Sequence, residues 1–112
     1  MANAVGAALE NMGCDVSRSG DYPGWKPNAD SDILRLMTSL YKTIFNEEPN
    51  VNACHAGLEC GILGAHLPGM DMISFGPTIH GAHSPDESVK ISSVQKYWRY
   101  LLKVLQEIPV KK

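Results

Sequence analysis

Two stretches with a helical period, residues 31–45 and 92–108, most constrain what this chain can fold into. In the first, Asp30 or Ser31 stands where an N-cap is wanted, and Ile33, Leu34, Met37, Leu40, Tyr41, Ile44 and Phe45 fall on one face. Pro49 bars any continuation. In the second, Ser92 and Gln95 have the spacing of a capping box, and Ile91 can staple the start. Val94, Trp98, Leu101, Leu105 and Ile108 then form a stripe that runs up to Pro109. Both stretches are predicted as helices whose stripes are core. Amphipathic helices need a second layer to pack on, so the pieces around them must supply it.

Those pieces are short and broken by the chain's 10 glycines and 7 prolines. AVGAALENM (4–12) predicts a helix closed by Gly13 in a left-handed cap. CDVSRSGDYPGWKPN passes from alternating polar and apolar residues into a Gly, Pro, Asn and aromatic cluster, which reads as a strand end, a turn and a linker. VNACHAGLECG suits a short strand running into a loop, ILGAHLPGM one or two helical turns, and MDMISFGPT a buried strand ended by Gly76–Pro77. The expected order is helix, strand, helix, strand, short helix, strand, helix, without internal repeats. That is an α/β class, with helices packed on a small mixed sheet.

At 112 residues, 44% hydrophobic and 20% charged, the chain has the size and composition of one modest globular unit. A net charge of −2 and a pI near 6.0 leave no basic excess for phosphate backbones or anionic lipid, so neither nucleic acid nor membrane is an expected partner. The N-terminus lacks a basic then apolar leader, and a soluble, cytoplasmic protein is expected. Cys14, Cys54 and Cys60 are odd in number and contain no Cys-x-x-Cys pair, which predicts reduced thiols, with neither a disulfide framework nor a cysteine metal site.

The chemistry-bearing stretch is IHGAHSPDESV (79–89). On the reading above it leaves the carboxyl end of the MISF strand, where open α/β sheets bind ligands. His83 has small neighbours that admit a metal or another backbone, and nearby carboxylates could fix its tautomer. Against this, His80 and His83 lie three apart in a loop and match none of the helical zinc spacings. The local pattern is equally that of a polar loop leading into a helix, and both readings stand at this level.

The blocks YPGWKPN, HAGLECG, PGMDMISFGPTIHGAHSPDESV and KYWRYLLKVL with Ile108–Pro109 closely resemble the C-terminal part of the aminoacyl-histidine dipeptidases. This family, also called peptidase D or cytosolic non-specific dipeptidase, belongs to the zinc metallopeptidases that include carboxypeptidase G and the aminoacylases. The resemblance covers nearly all of the chain. It implies a fragment, because such enzymes are several times longer, with a first catalytic segment and an inserted lid ahead of this part. Residues 1–21 would be the end of the lid (helix and strand), 22–30 a hinge packed by Tyr22 and Trp25, and 31–112 the C-terminal segment of the catalytic domain.

For chemistry, the resemblance implies hydrolysis of Xaa-His and other dipeptides by water activated on two zinc ions, with His83 a terminal ligand of one of them. His80 falls outside the ligand position. The family's other ligands, a His-x-Asp pair, a bridging aspartate and further carboxylates, and its general-base glutamate have no counterpart here. Glu59 and His55 are implied near the substrate, with backbone-satisfied carboxylate and core histidine as the plain alternatives. Gly76 and Thr78 are implied substrate contacts. Asp86 and Glu87 could support His83 as acceptors or complement a helix entry, the latter favoured for Glu87. Cys54 and Cys60 read as buried structural thiols. The expected partners are a dipeptide, the absent N-terminal catalytic segment and, through exposed apolar surface, further copies of the chain. An isolated chain of this kind is expected to be inactive; a non-catalytic binding or assembly module is the alternative.

Overall fold

Ser31 begins the element on which the rest is arranged. Its Oγ accepts the Leu34 N–H at 3.0 Å and caps α2 (Asp32–Phe45), which Asn46 closes in the left-handed conformation (φ 53°) before Pro49. The computed structural model describes residues 1–54 and 58–110. Around α2 lie α1 (Ala2–Asn11), α3 (Glu59–His66), a two-residue antiparallel pair β1 (Ile79–His80) and β2 (Ser88–Val89), and α4 (Ile91–Glu107).

The core is the seam between α2 and α4. Met37 and Val104, each 3% exposed, and Tyr100 are its buried apolar side chains, with Ile33, Leu40, Tyr41, Ile44, Phe45 and Ile73 packed against them. Tyr100 donates its hydroxyl to the Met37 carbonyl at 2.6 Å, so the phenol enters the core with its polar end satisfied. Its ring meets Tyr41, Phe45 and Phe75 edge-on at centroid distances of 5.4, 6.1 and 5.7 Å. Burial raises the Tyr100 pKa above the ordinary phenol value. At the far end Lys96 lies over the Tyr41 and Phe45 rings and pairs with Glu47 at 2.7 Å, tying the chain just beyond α2 to α4.

The α/β class holds, in the form of four helices and one small sheet among the described residues. The sheet is a two-stranded antiparallel ladder rather than a mixed one, with Ile79 opposite Val89 and His80 opposite Ser88. Three expected strands are not ladders: residues 14–21 and 70–75 have no regular structure, and in VNACHAGLECG the described residues 51–54 are irregular while α3 begins at Glu59. The 70–75 case has a clear cause. Asp71 Oδ2 accepts the Ile33 N–H at 3.1 Å, Ile73 packs on the core, and Phe75 packs on Tyr97 and Tyr100. This run hides its apolar side chains against two helices instead of pairing its backbone.

α4 departs from expectation in two ways. It starts at Ile91 with Lys90 as N-cap and no side-chain cap, so the Ser92–Gln95 capping box does not form. Its packed face is Tyr100 and Val104, buried, with Tyr97 half-buried, whereas the stripe expected to be core is largely exposed, Trp98 at 58% and Leu105 at 60%. Two apolar faces lie on one helix, and the aromatic one won the place against α2.

Candidate functional site

The hairpin tip that carries His83 is held at its base from outside. The Lys90 N–H donates to the Thr78 carbonyl at 3.0 Å, closing the ladder. Ser93, in the first turn of α4, accepts the Thr78 N–H at 2.9 Å and donates its hydroxyl to the Lys90 carbonyl at 2.7 Å. One serine thus rivets the strand entry to the helix start. The loop is therefore the tip of a hairpin, not the exit of a parallel strand, and its position follows from α4 rather than from a sheet.

Inside the loop the backbone folds into two successive turns. Gly81 adopts φ 61°, the Ser84 N–H and Oγ both donate to the Gly81 carbonyl at 3.0 and 2.7 Å, and the Glu87 N–H donates to the Ser84 carbonyl at 3.1 Å. His83 takes φ 65°, a left-handed conformation that costs a β-carbon-bearing residue about 1–2 kcal/mol. Glu87 answers that cost directly. Its Oε2 accepts the His83 N–H at 2.8 Å, fixing the backbone while the His83 ring makes no hydrogen bond among the described residues. The imidazole is exposed, and either ring nitrogen, according to tautomer, can take a ligand.

The other expected site residues are scattered differently. Thr78 lies at the hairpin base with its backbone engaged as above, and Gly76, two residues earlier, is exposed with open space where a side chain would stand. Asp86 is exposed on the same loop as Glu87. The helix-entry role expected for Glu87 is not the one found, because α4 has no acidic residue in its first turn and the carboxylate turns back to His83. Glu59 is the first residue of α3, exposed, and no hydrogen bond ties it to the hairpin among the described residues. His55 lies outside the described residues. His80 sits in β1 and is exposed. Cys14, Cys54 and Cys60 are free thiols; Cys54 is exposed and Cys60 half-buried, so neither is the buried structural thiol expected.

Metal fit can be judged from the donors that converge. No group of three or more His, Cys, Asp or Glu side chains that could hold a metal occurs among the described residues. His83 can give one nitrogen, and the Glu87 carboxylate beside it is occupied by a backbone N–H. A catalytic zinc takes about three protein ligands, so these residues do not make a metal centre by themselves.

Sequence reasoning missed Asp71 and Ser93. Asp71 accepts from Ile33 across 38 residues of sequence, and Ser31 and neighbouring backbone N–H groups draw its carboxyl below the usual aspartate range. No local pattern could announce that contact. Ser93 was hidden by the better-looking Ser92.

The peptidase family M20/M25/M40 matches residues 4–107, and the chain belongs to it. Among its relatives, the cytosol non-specific dipeptidase of Escherichia coli (strain K12) is 50% identical over 99 residues, which are 88% of this chain and 20% of that protein. The crystal structure of aminoacylhistidine dipeptidase from Vibrio alginolyticus superposes with a TM-score of 0.80 at 45% identity, covering 99% of this chain and 23% of that one. The chain thus spans about a fifth of the length of these relatives, and the α/β fold is a piece of a larger dipeptidase fold.

Proposed function

We propose that this chain supplies the His83 ligand to the metal site of a dipeptidase acting on Xaa-His and other dipeptides, and that the remaining ligands and the general base come from outside residues 1–112. The observation that carries the reading is the hairpin tip itself. A histidine is held in a left-handed backbone conformation by its own neighbour Glu87, with its ring left unengaged. An unpaired exposed imidazole on a braced loop is suited to accept a ligand, and zinc is a metal that such a nitrogen favours. In this reading Glu87 orients His83 through the backbone, Asp86 is available to the ring, and Gly76, Thr78, Glu59 and His55 lie on the substrate side. Residues 1–21 belong to the end of a lid and 22–30 to a hinge. The cytosol, named for the Escherichia coli relative, is the inferred compartment.

The test has two arms. The purified chain, titrated with zinc chloride and assayed on a His-containing dipeptide, is expected to bind no metal tightly and cleave nothing. Co-expressed with the rest of a dipeptidase, it is expected to gain zinc and activity, and to lose both on His83→Ala. Activity of the chain alone, or indifference to His83→Ala in the complex, would refute the proposal. The alternative of a non-catalytic assembly module draws on the exposed apolar stripe of α4 and predicts a complex without zinc.

A further inference from the structure

The hairpin that carries His83 is joined to the body by very little. Every residue from Thr78 to Lys90 is exposed, so no side chain of this arm is buried on a helix. The hydrogen bonds of its tip run inward, from Ser84 to Gly81, from Glu87 to Ser84 and from His83 to Glu87. Among the described residues one side-chain hydrogen bond crosses from this arm to α4, at Ser93, and it closes a ring. The Thr78 N–H donates to Ser93 Oγ at 2.9 Å, that hydroxyl donates to the Lys90 carbonyl at 2.7 Å, and the Lys90 N–H donates back to the Thr78 carbonyl at 3.0 Å. A hydroxyl has one proton and two lone pairs, so serine fills both roles at once.

We propose that Ser93 is a positioning residue for the reaction: its hydroxyl fixes the angle at which the hairpin leaves α4, and through that angle the place of the His83 ring. The proposal rests on the functional reading above. Two features separate positioning from plain stability. Thr78 is exposed, so water can take its N–H once the hydroxyl is gone, and what is lost is a direction rather than a buried hydrogen bond. Ser93 also stands in the first turn of α4, where alanine favours the helix more than serine does. The contact sits at the pivot and His83 at the tip, so a small rotation at Thr78 becomes a larger displacement of the imidazole. A displacement of about 1 Å at a reacting group costs on the order of a hundredfold in rate. Ser92, one residue earlier, is exposed and lies outside the ring.

The full 112-residue chain is compared with Ser93→Ala, Ser93→Val, Ser93→Thr and Ser92→Ala. In amide exchange of the chain itself, Ser93→Ala and Ser93→Val are expected to speed the Thr78 and Lys90 protons about tenfold, as one lost hydrogen bond does. The His83 proton, held inside the hairpin by Glu87, should exchange as in wild type. Ser93→Thr has the shape of valine but keeps the hydroxyl, and should match wild type, as should Ser92→Ala. In the active complex with the rest of a dipeptidase, Ser93→Ala and Ser93→Val are expected to lower kcat on a His-containing dipeptide about tenfold or more, with KM within about twofold, because the tip moves farther than the pivot. Ser93→Thr should restore kcat. Unchanged exchange at Lys90 in Ser93→Ala would overturn the proposal, as would an intact kcat in that variant where His83→Ala abolishes cleavage, or a loss that Ser93→Thr shares with Ser93→Val. A complex that stays inactive, or in which His83→Ala is as active as wild type, sinks the functional reading instead, and exchange at Lys90 still decides whether Ser93 sets the hairpin's angle.

Discussion

At the scale of single residues, His83 and Asp71 show a carboxylate doing backbone work. Glu87 compensates a left-handed histidine by accepting its N–H, and a glutamine can accept in the same place. Glu87→Ala is therefore expected to speed amide exchange at His83 severalfold, with Glu87→Gln close to wild type; equal exchange in all three would show that the turn alone holds the histidine. Asp71 braces the start of α2, and its folded pKa is lowered by Ser31 first and by the Ile33 N–H next. The unfolded chain then takes up the proton at a higher pH than the folded one. The stabilisation is complete above the unfolded aspartate pKa of about 3.9 and is lost as pH falls through the lower folded value. Melting temperature followed from pH 6 to 2 should drop through this window less in Asp71→Asn than in wild type. Ser31→Ala removes both the cap on Leu34 and the Asp71 contact, and is expected to cost about 1–2 kcal/mol in urea unfolding.

At the scale of elements, what was legible followed from local periodicity. The helix over 31–45, its Ser31 cap and its stop before Pro49 came from spacing and side-chain chemistry alone, because those signals act within one or two turns. The 70–75 run misled for the opposite reason. Met72, Ile73 and Phe75 look like a buried strand, but the packing of Ile73 and Phe75 comes from helices about 30 or more residues away in sequence in one direction and about 20 in the other. α4 misled through having two apolar faces, since periodicity cannot say which face meets α2. His83 was singled out only because its neighbours resemble a known loop, as a single imidazole carries no spacing of its own. The two faces of α4 make a sharp contrast in stability. Met37→Ala opens the packed seam and should cost about 2–5 kcal/mol, whereas Trp98→Glu on the open stripe should stay within about 0.5 kcal/mol of wild type. A large loss from Trp98→Glu in the isolated chain would mean that the stripe is already covered there. Gly61 makes a related point for the segment before α2: a β-carbon there would collide with the Pro23 carbonyl, so α3 is where residues 22 and 23 rest.

At the scale of the whole molecule, the dimensions disagree with a self-sufficient domain. A compact chain of this length has a radius of gyration of about 13 Å, whereas this one has 19.1 Å and extends over 59 × 42 × 21 Å. Among the described residues only Met37, Tyr100 and Val104 form the buried apolar cluster, and no side chain there is completely enclosed. Cooperative unfolding depends on a large change in exposed surface, and little apolar surface is hidden here. The isolated chain is therefore expected to unfold broadly in urea, with a slope at or below about 1 kcal/mol per molar, the bottom of the range for small domains. In the proposed function, adding the rest of a dipeptidase should steepen that transition and move it to higher urea, because a partner that binds only the folded form stabilises it by mass action. A steep transition in the chain alone, unchanged by the partner, would show that the chain already holds a cooperative core of its own.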